Sequence, residues 1–144
     1  MTKRAAVRIG MICLASLLFN LMRCMALAAD MPCYPPRHAK VPVTIELSYH
    51  KARKRLLAAG WQPLRTKPYN TSDTDPDISS GNGLIFWRKY SELEACSGTG
   101  SAACSFLFHD VYGNRLRVIT EGEELPKTRT HAIVTSLLFV CDHE

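Results

Sequence analysis

The chain lacks the spacings that announce chemistry. No Gly-x-Ser-x-Gly is present, so no strand-to-helix elbow carries a nucleophilic serine. The one glycine-rich stretch, Ser97-Gly98-Thr99-Gly100-Ser101, has no Gly-Lys-Ser/Thr ending and no following helix. It therefore offers a phosphate no lysine, and reads as a turn. Cysteines never occur as the close pairs of a zinc site: the nearest two, Cys96 and Cys104, are eight positions apart. The longest mostly apolar run, Ile9 to Met22, is 14 residues, short of the ~20 needed to span a bilayer. Acidic residues are absent from the first 28 positions, which hold four of the 18 basic residues (Lys3, Arg4, Arg8, Arg23). The remainder carries 14 basic against 13 acidic residues. That balance gives no electrostatic footprint for a nucleic acid.

What is present begins with an address. Lys3, Arg4 and Arg8 form a basic head, Ile9 to Met22 an apolar run, and Ala26-Leu27-Ala28 a small-x-small cleavage pattern. Residues 1–28 read as a secretory signal peptide and residues 29–144 as a single α+β domain. Neither Cys24 nor Cys33 follows the small residue that lipidation requires. The expected location is therefore periplasmic or secreted, with no stable membrane anchor after cleavage.

Cys33, Cys96, Cys104 and Cys141 remain in that domain. An even number in an exported chain reads as two disulfides. Three pairings are possible. The short Gly/Ser/Ala loop favours Cys96–Cys104 and leaves Cys33–Cys141 to tie the start of the domain to its end.

Alternation marks two strands, Ser105–His109 and Arg115–Thr120, joined at Gly113-Asn114, residues that tolerate a tight turn's positive φ. A helix is expected from Ser48 to Ala59: Ser48 suits an N-cap, Ala52, Leu56 and Ala59 share a face, and Gly60 suits the end. The basic run from His50 to Arg55 reads as its solvated side. A short edge strand follows (61–65), then a polar loop over residues 67–83 whose composition permits disorder. Residues 84–87, apolar and too short to classify by period, read as a short helix leading into a strand over residues 92–96, with one strand throughout as the alternative. A charged connection over residues 121–129 precedes a β-branched strand over residues 131–141. The expected fold is α+β, one helix packed on a four- to five-stranded, mostly antiparallel sheet, braced by two disulfides.

Ala52 to Pro63, followed by Cys96-Ser-Gly-Thr-Gly-x-x-x-Cys104 and the hairpin to Thr120, resembles small exported proteins of Gram-negative bacteria. The resemblance covers about a third of the chain. It implies location and fold, and carries over no activity and no site.

Candidate functional residues are few. Asp73, Asp75 and Asp77 have the i, i+2, i+4 spacing of a calcium loop, but Ile78 and Leu84 replace its glycine and glutamate, and Pro76 intrudes. His109 and His131, with Asp110, would form an acid–base pair if their strands met, which is the basis for a small secreted hydrolase such as a nuclease. Nothing in the spacing brings them together. Trp61, Tyr69, Trp87 and Tyr90 are possible contact aromatics. No catalytic residue, cofactor or metal ligand set is indicated. The favoured expectation is a non-enzymatic protein that binds another envelope or secreted protein, in the manner of an inhibitor or immunity protein. A structural envelope component is the further alternative.

Two measurements test this reading. The intact mass of the exported protein is expected to begin at Ala29. Cys141→Ser is expected to lower the denaturation midpoint more than Cys104→Ser, because closing the longer loop removes more unfolded-state entropy, about 4–5 kcal/mol in all.

Overall fold

The computed structural model describes residues 34–141, all within one compact unit, Cys33–Glu144. Among the described residues, three helices and five strands follow in order: α1 (Tyr49–Ala58), β1 (Gln62–Pro63), α2 (Pro76–Ser79), α3 (Gly83–Trp87), β2 (Leu93–Cys96), β3 (Cys104–His109), β4 (Arg115–Glu121) and β5 (Ile133–Val140). All pairings are antiparallel, in the order β1-β3-β4-β5. β2 shares an edge of β3 with β1, β1 opposite Phe108 and His109, β2 opposite Cys104 to Phe106.

The α+β class and the antiparallel sheet are as expected. The expected long helix is joined by two short ones: α3 falls where a short helix is expected before β2, whereas α2 lies in the stretch expected as a loop. Asp75 explains α2: its side chain accepts from the Asp77 N–H at 3.0 Å, and Pro76 occupies the first helical position, where its missing N–H costs nothing. Fully buried Ile78 anchors this turn, so the segment is tied to the core. Gly83 is required where it stands, since a Cβ there would lie 2.2 Å from the Ile78 carbonyl oxygen.

α1 buries Tyr49, Ala52 and Leu56 and exposes Lys51, Lys54 and Arg55. Ser48 sits at the N-cap, but its side chain makes no capping bond; the Tyr49 N–H donates instead to the Ala132 carbonyl at 3.0 Å. The helix ends in a Schellman motif. Gly60 has φ +96°, and the Gly60 and Trp61 N–H groups turn back to the Leu57 and Leu56 carbonyls, each at 3.1 Å.

One sheet face carries Phe106, Phe108, Leu116, Val118 and Val134, all packed in the core with α1, Trp61 and Phe86. Tyr49 stacks on Phe106 with ring centroids 3.6 Å apart, and Phe86 meets Phe106 edge-on at 5.1 Å. The expected bridge Cys96–Cys104 is formed, with Cα atoms 4.1 Å apart. The other expected pair includes Cys33, which lies outside the described residues, as do the signal segment and its cleavage site.

The β3–β4 turn is clasped by Asp110. Its carboxylate accepts from the N–H groups of Tyr112, Asn114 and Ala39 and from the Asn114 amide, at 2.8–3.1 Å. Asn114 donates onward to the Arg37 carbonyl, so one side chain pair fixes both the turn and the proline-rich lead-in. Burial raises the Asp110 pKa, but these donors outweigh it and hold the group below its ordinary value. A depressed carboxylate contributes its stability above the unfolded pKa of ~3.9 and loses it as pH falls through the folded one. Asp110→Asn is expected to cost about 2 kcal/mol at pH 7. The variant should also lose less stability than the wild type between pH 5 and the acid limit, read by urea unfolding across that range.

Candidate functional site

The residues singled out as possible contacts are mostly interior. Trp61 is fully buried and donates its indole N–H to the Lys40 carbonyl at 3.0 Å. Trp87 and Tyr90 are half-buried against the core. Tyr69 stands on the surface with the Arg65 guanidinium 3.6 Å over its ring. Of the calcium-like aspartates, Asp75 and Asp77 pair with Lys67, and Asp73 with Arg88. Each aspartate thus already has a cationic partner, Lys67 serving two of them.

His109 and His131 are at opposite ends of the sheet. His109 lies opposite Gln62 and Arg115, and Arg115 lies opposite Val140. His131 instead precedes β5, whose first residue Ile133 faces Glu121 at the far end of β4. The hydrolase reading based on this pair has no geometric support. Asp110, its suggested third member, is committed to the turn.

The structure brings His131 to a different histidine. From the first turn of α1, His50 directs Nε2 to Glu124 Oε1 at 2.9 Å, and His131 directs Nδ1 to the same oxygen at 2.9 Å. The two imidazole rings meet edge-on with centroids 4.8 Å apart. Each partner is held from behind. The Tyr90 hydroxyl lies 2.6 Å from His50 Nδ1. The Ala132 N–H donates to Glu124 Oε2 at 3.2 Å, and the Glu124 N–H donates to Asn82 Oδ1 at 2.9 Å. Glu124 is 1% exposed, whereas the His131 side chain is 38% exposed. The cluster thus has a buried carboxylate floor and an open imidazole wall. Burial raises the Glu124 pKa, but the hydrogen bonds from His50 and His131 outweigh it and hold the carboxyl below its ordinary range.

A second buried carboxylate adjoins it through Tyr90. Glu92, fully buried, accepts at Oε1 from the Tyr49 hydroxyl at 2.8 Å and from Arg53 Nε at 2.5 Å. Its Oε2 has no hydrogen-bond partner among the described residues. Arg53 also lies 4.8 Å over the Tyr90 ring. Burial, then the neighbouring Glu92, push the Tyr49 pKa well above its ordinary value, so its hydroxyl stays a donor.

Sequence reasoning passed over His50, Arg53, Glu92 and Glu124. His50 and Arg53 sit within a run that reads as solvated helix, and Glu124 within a run that reads as a charged connection. No motif spacing joins them, because they come from α1, the approach to β2 and the approach to β5.

Arg53 is the cation facing Glu92, so removing it strands a buried charge. Arg53→Ala is expected to cost about 3 kcal/mol in urea unfolding at pH 7, against less than about 0.5 for Lys54→Ala one position on. No family model, curated protein or solved structure matches this chain, so the chemistry of the site has to be read from its own atoms.

Proposed function

We propose that this is an exported, non-enzymatic domain, periplasmic or secreted, that binds another envelope or secreted protein through the open face of its sheet. The observation that carries this reading is the row Leu107–Arg117–Leu138, in register across β3, β4 and β5 on the side away from the core. Leu138 in that row is 50% exposed. Rows above and below it hold Ser105–Ile119–Ser136 and His109–Arg115–Val140. Glu94 braces the middle by accepting from Arg117 at 2.7 and 2.8 Å and from Ser105 at 2.5 Å. Rigid strands present the half-exposed Leu138 beside Arg117, a composition suited to an apolar surface with acidic groups at its rim.

Export is supported by the basic-then-apolar N-terminus and by the Cys96–Cys104 bridge, a bond that persists in oxidising compartments. Among the described residues no helix is long and apolar enough to cross a membrane. A second bridge, Cys33–Cys141, belongs to the same proposal and rests on the even cysteine count.

Photo-crosslinking tests the proposal. A benzophenone side chain at Leu138 is expected to give a discrete adduct with one envelope or secreted protein in the producing cell. The same label at Lys54, on the helix side, is expected to give none. Leu138→Asp should abolish co-purification of the adduct partner while leaving the unfolding midpoint within about 0.5 kcal/mol of wild type. Equal labelling from both positions, or none from Leu138, would overturn the assignment of this face.

A further inference from the structure

The geometry points to a divalent transition-metal site, of the kind that takes zinc, formed by His50 Nε2, Glu124 Oε1 and His131 Nδ1. These three atoms lie within 4.8 Å of one another, and both imidazole nitrogens converge on the same carboxylate oxygen. Two imidazoles and a carboxylate make up a donor set that zinc uses when three protein ligands leave a fourth position open. At metal–ligand distances of about 2.1 Å, tetrahedral ligands stand about 3.4 Å apart. The two 2.9 Å contacts would then open by about half an ångström, and the two imidazole nitrogens, within 4.8 Å of each other, would close by up to about 1.4 Å, changes that side-chain rotations of His50 and the more exposed His131 supply.

Three further observations fit a cation and not merely a hydrogen-bonded trio. The groups behind the ligands are those that orient metal ligands elsewhere: a hydroxyl on the far nitrogen of His50, and a backbone N–H on the second oxygen of Glu124. The ion pairs of Glu124 among the described residues are with imidazoles, and include no lysine or arginine. A buried carboxylate so placed is better neutralised by a dication. Finally, the buried side of the cluster is closed by Glu124, while His50 and His131 leave its outer side partly open, giving water or a partner's side chain access to the fourth position. The inference stands apart from the protein-binding face, since it uses neither Leu138 nor Arg117.

The test uses untagged, oxidised full-length mature protein freed of metal by chelation. Titration with zinc chloride alone, followed by calorimetry, is expected to show one site per chain. At a hundredfold excess over the dissociation constant, the melting temperature should rise by roughly 5–10 °C. Cobalt(II) in place of zinc should give the intense visible absorption of a four-coordinate site. His131→Ala, at the exposed side of the cluster, should abolish binding and the thermal shift; His109→Ala, at the other end of the sheet, should change neither. Glu124→Gln should also abolish binding; should it fail to fold, the His131→Ala and His109→Ala pair still decides the matter. Absence of saturable binding by the wild type, or binding undiminished in His131→Ala, would overturn the proposal and leave a plain His–Glu–His hydrogen-bond network.

Discussion

Tyr49 lies flat on Phe106, and much of the molecule depends on that contact. The rings are 3.6 Å apart and 18° from parallel, joining the first turn of α1 to the middle strand of the sheet. Phe86 and Tyr90 close around Tyr49 edge-on, at 5.5 and 5.3 Å, which brings α3 and its following turn into the same cluster. The stack also fixes the rotation of α1. With Tyr49, Ala52 and Leu56 turned inward, His50 must project sideways over Glu124, and Arg53 must reach toward Glu92. One aromatic contact thereby sets the direction of every polar side chain that α1 contributes to the interior.

Those polar groups come at an energetic cost that the apolar core has to offset. Moving a carboxylate out of water is expensive, and its pairing at best returns what desolvation took. Glu92 illustrates the problem most plainly: both of its donors bind one oxygen, and the other has none among the described residues. Apolar side chains of similar volume would pack the same space at no such cost. Two buried carboxylates, whose partners His50 and Arg53 both meet Tyr90, are therefore poor devices for stability. They are better understood as positioning devices: they fix rotamers of His50 and Tyr90 that a greasy interior would leave free to choose.

The sequence made the sheet easier to read than the site. Strict alternation from Arg115 to Thr120 matches a buried position at every second residue, and Gly60 ends α1 by the motif its position suggests. The Cys96–Cys104 loop could be read because the seven residues between the cysteines are all Gly, Ser, Ala or Thr and leave little else to do. α2 was hidden because it is a single turn, set by the local pair Asp75-Pro76 inside a stretch whose composition is that of a loop. The burial of Trp61 was hidden as well: nothing in its neighbours says that the Lys40 carbonyl would come to meet its indole. The His50–Glu124–His131 cluster was unreadable in a stricter sense. Its members are separated by 74 and 7 positions, and the longer separation is closed only by tertiary packing. A basic helix face and a charged connection give the same letters whether or not they meet.

The two sides of the sheet then play different parts for a physical reason. On the helix side, burial has already spent the apolar surface, and what remains open is a small polar cluster at one end. On the other side, alternation places a second set of side chains that nothing from α1 reaches. There Leu107 is nearly buried by its own neighbours, while Leu138 in the same row is half exposed. The gradient across one row follows from position: β3 is flanked on both edges, whereas β5 ends the sheet. Along the outer edge of β5, opposite β4, the start of the strand is also engaged by residues 46–49, with the Glu46 and Val134 N–H groups donating across at 2.7 and 2.8 Å. Beyond Val134 the described backbone bonds of β5 run to β4 alone. Leu138 therefore sits on a strand held rigidly at its start and less covered toward its end, beside the Arg117–Glu94 pair that keeps the middle of the face from collapsing onto it. A rigid apolar residue at the margin of a braced, charged row gains more from covering by a second protein than from any rearrangement within its own chain, because the strand register leaves it no inward direction to turn.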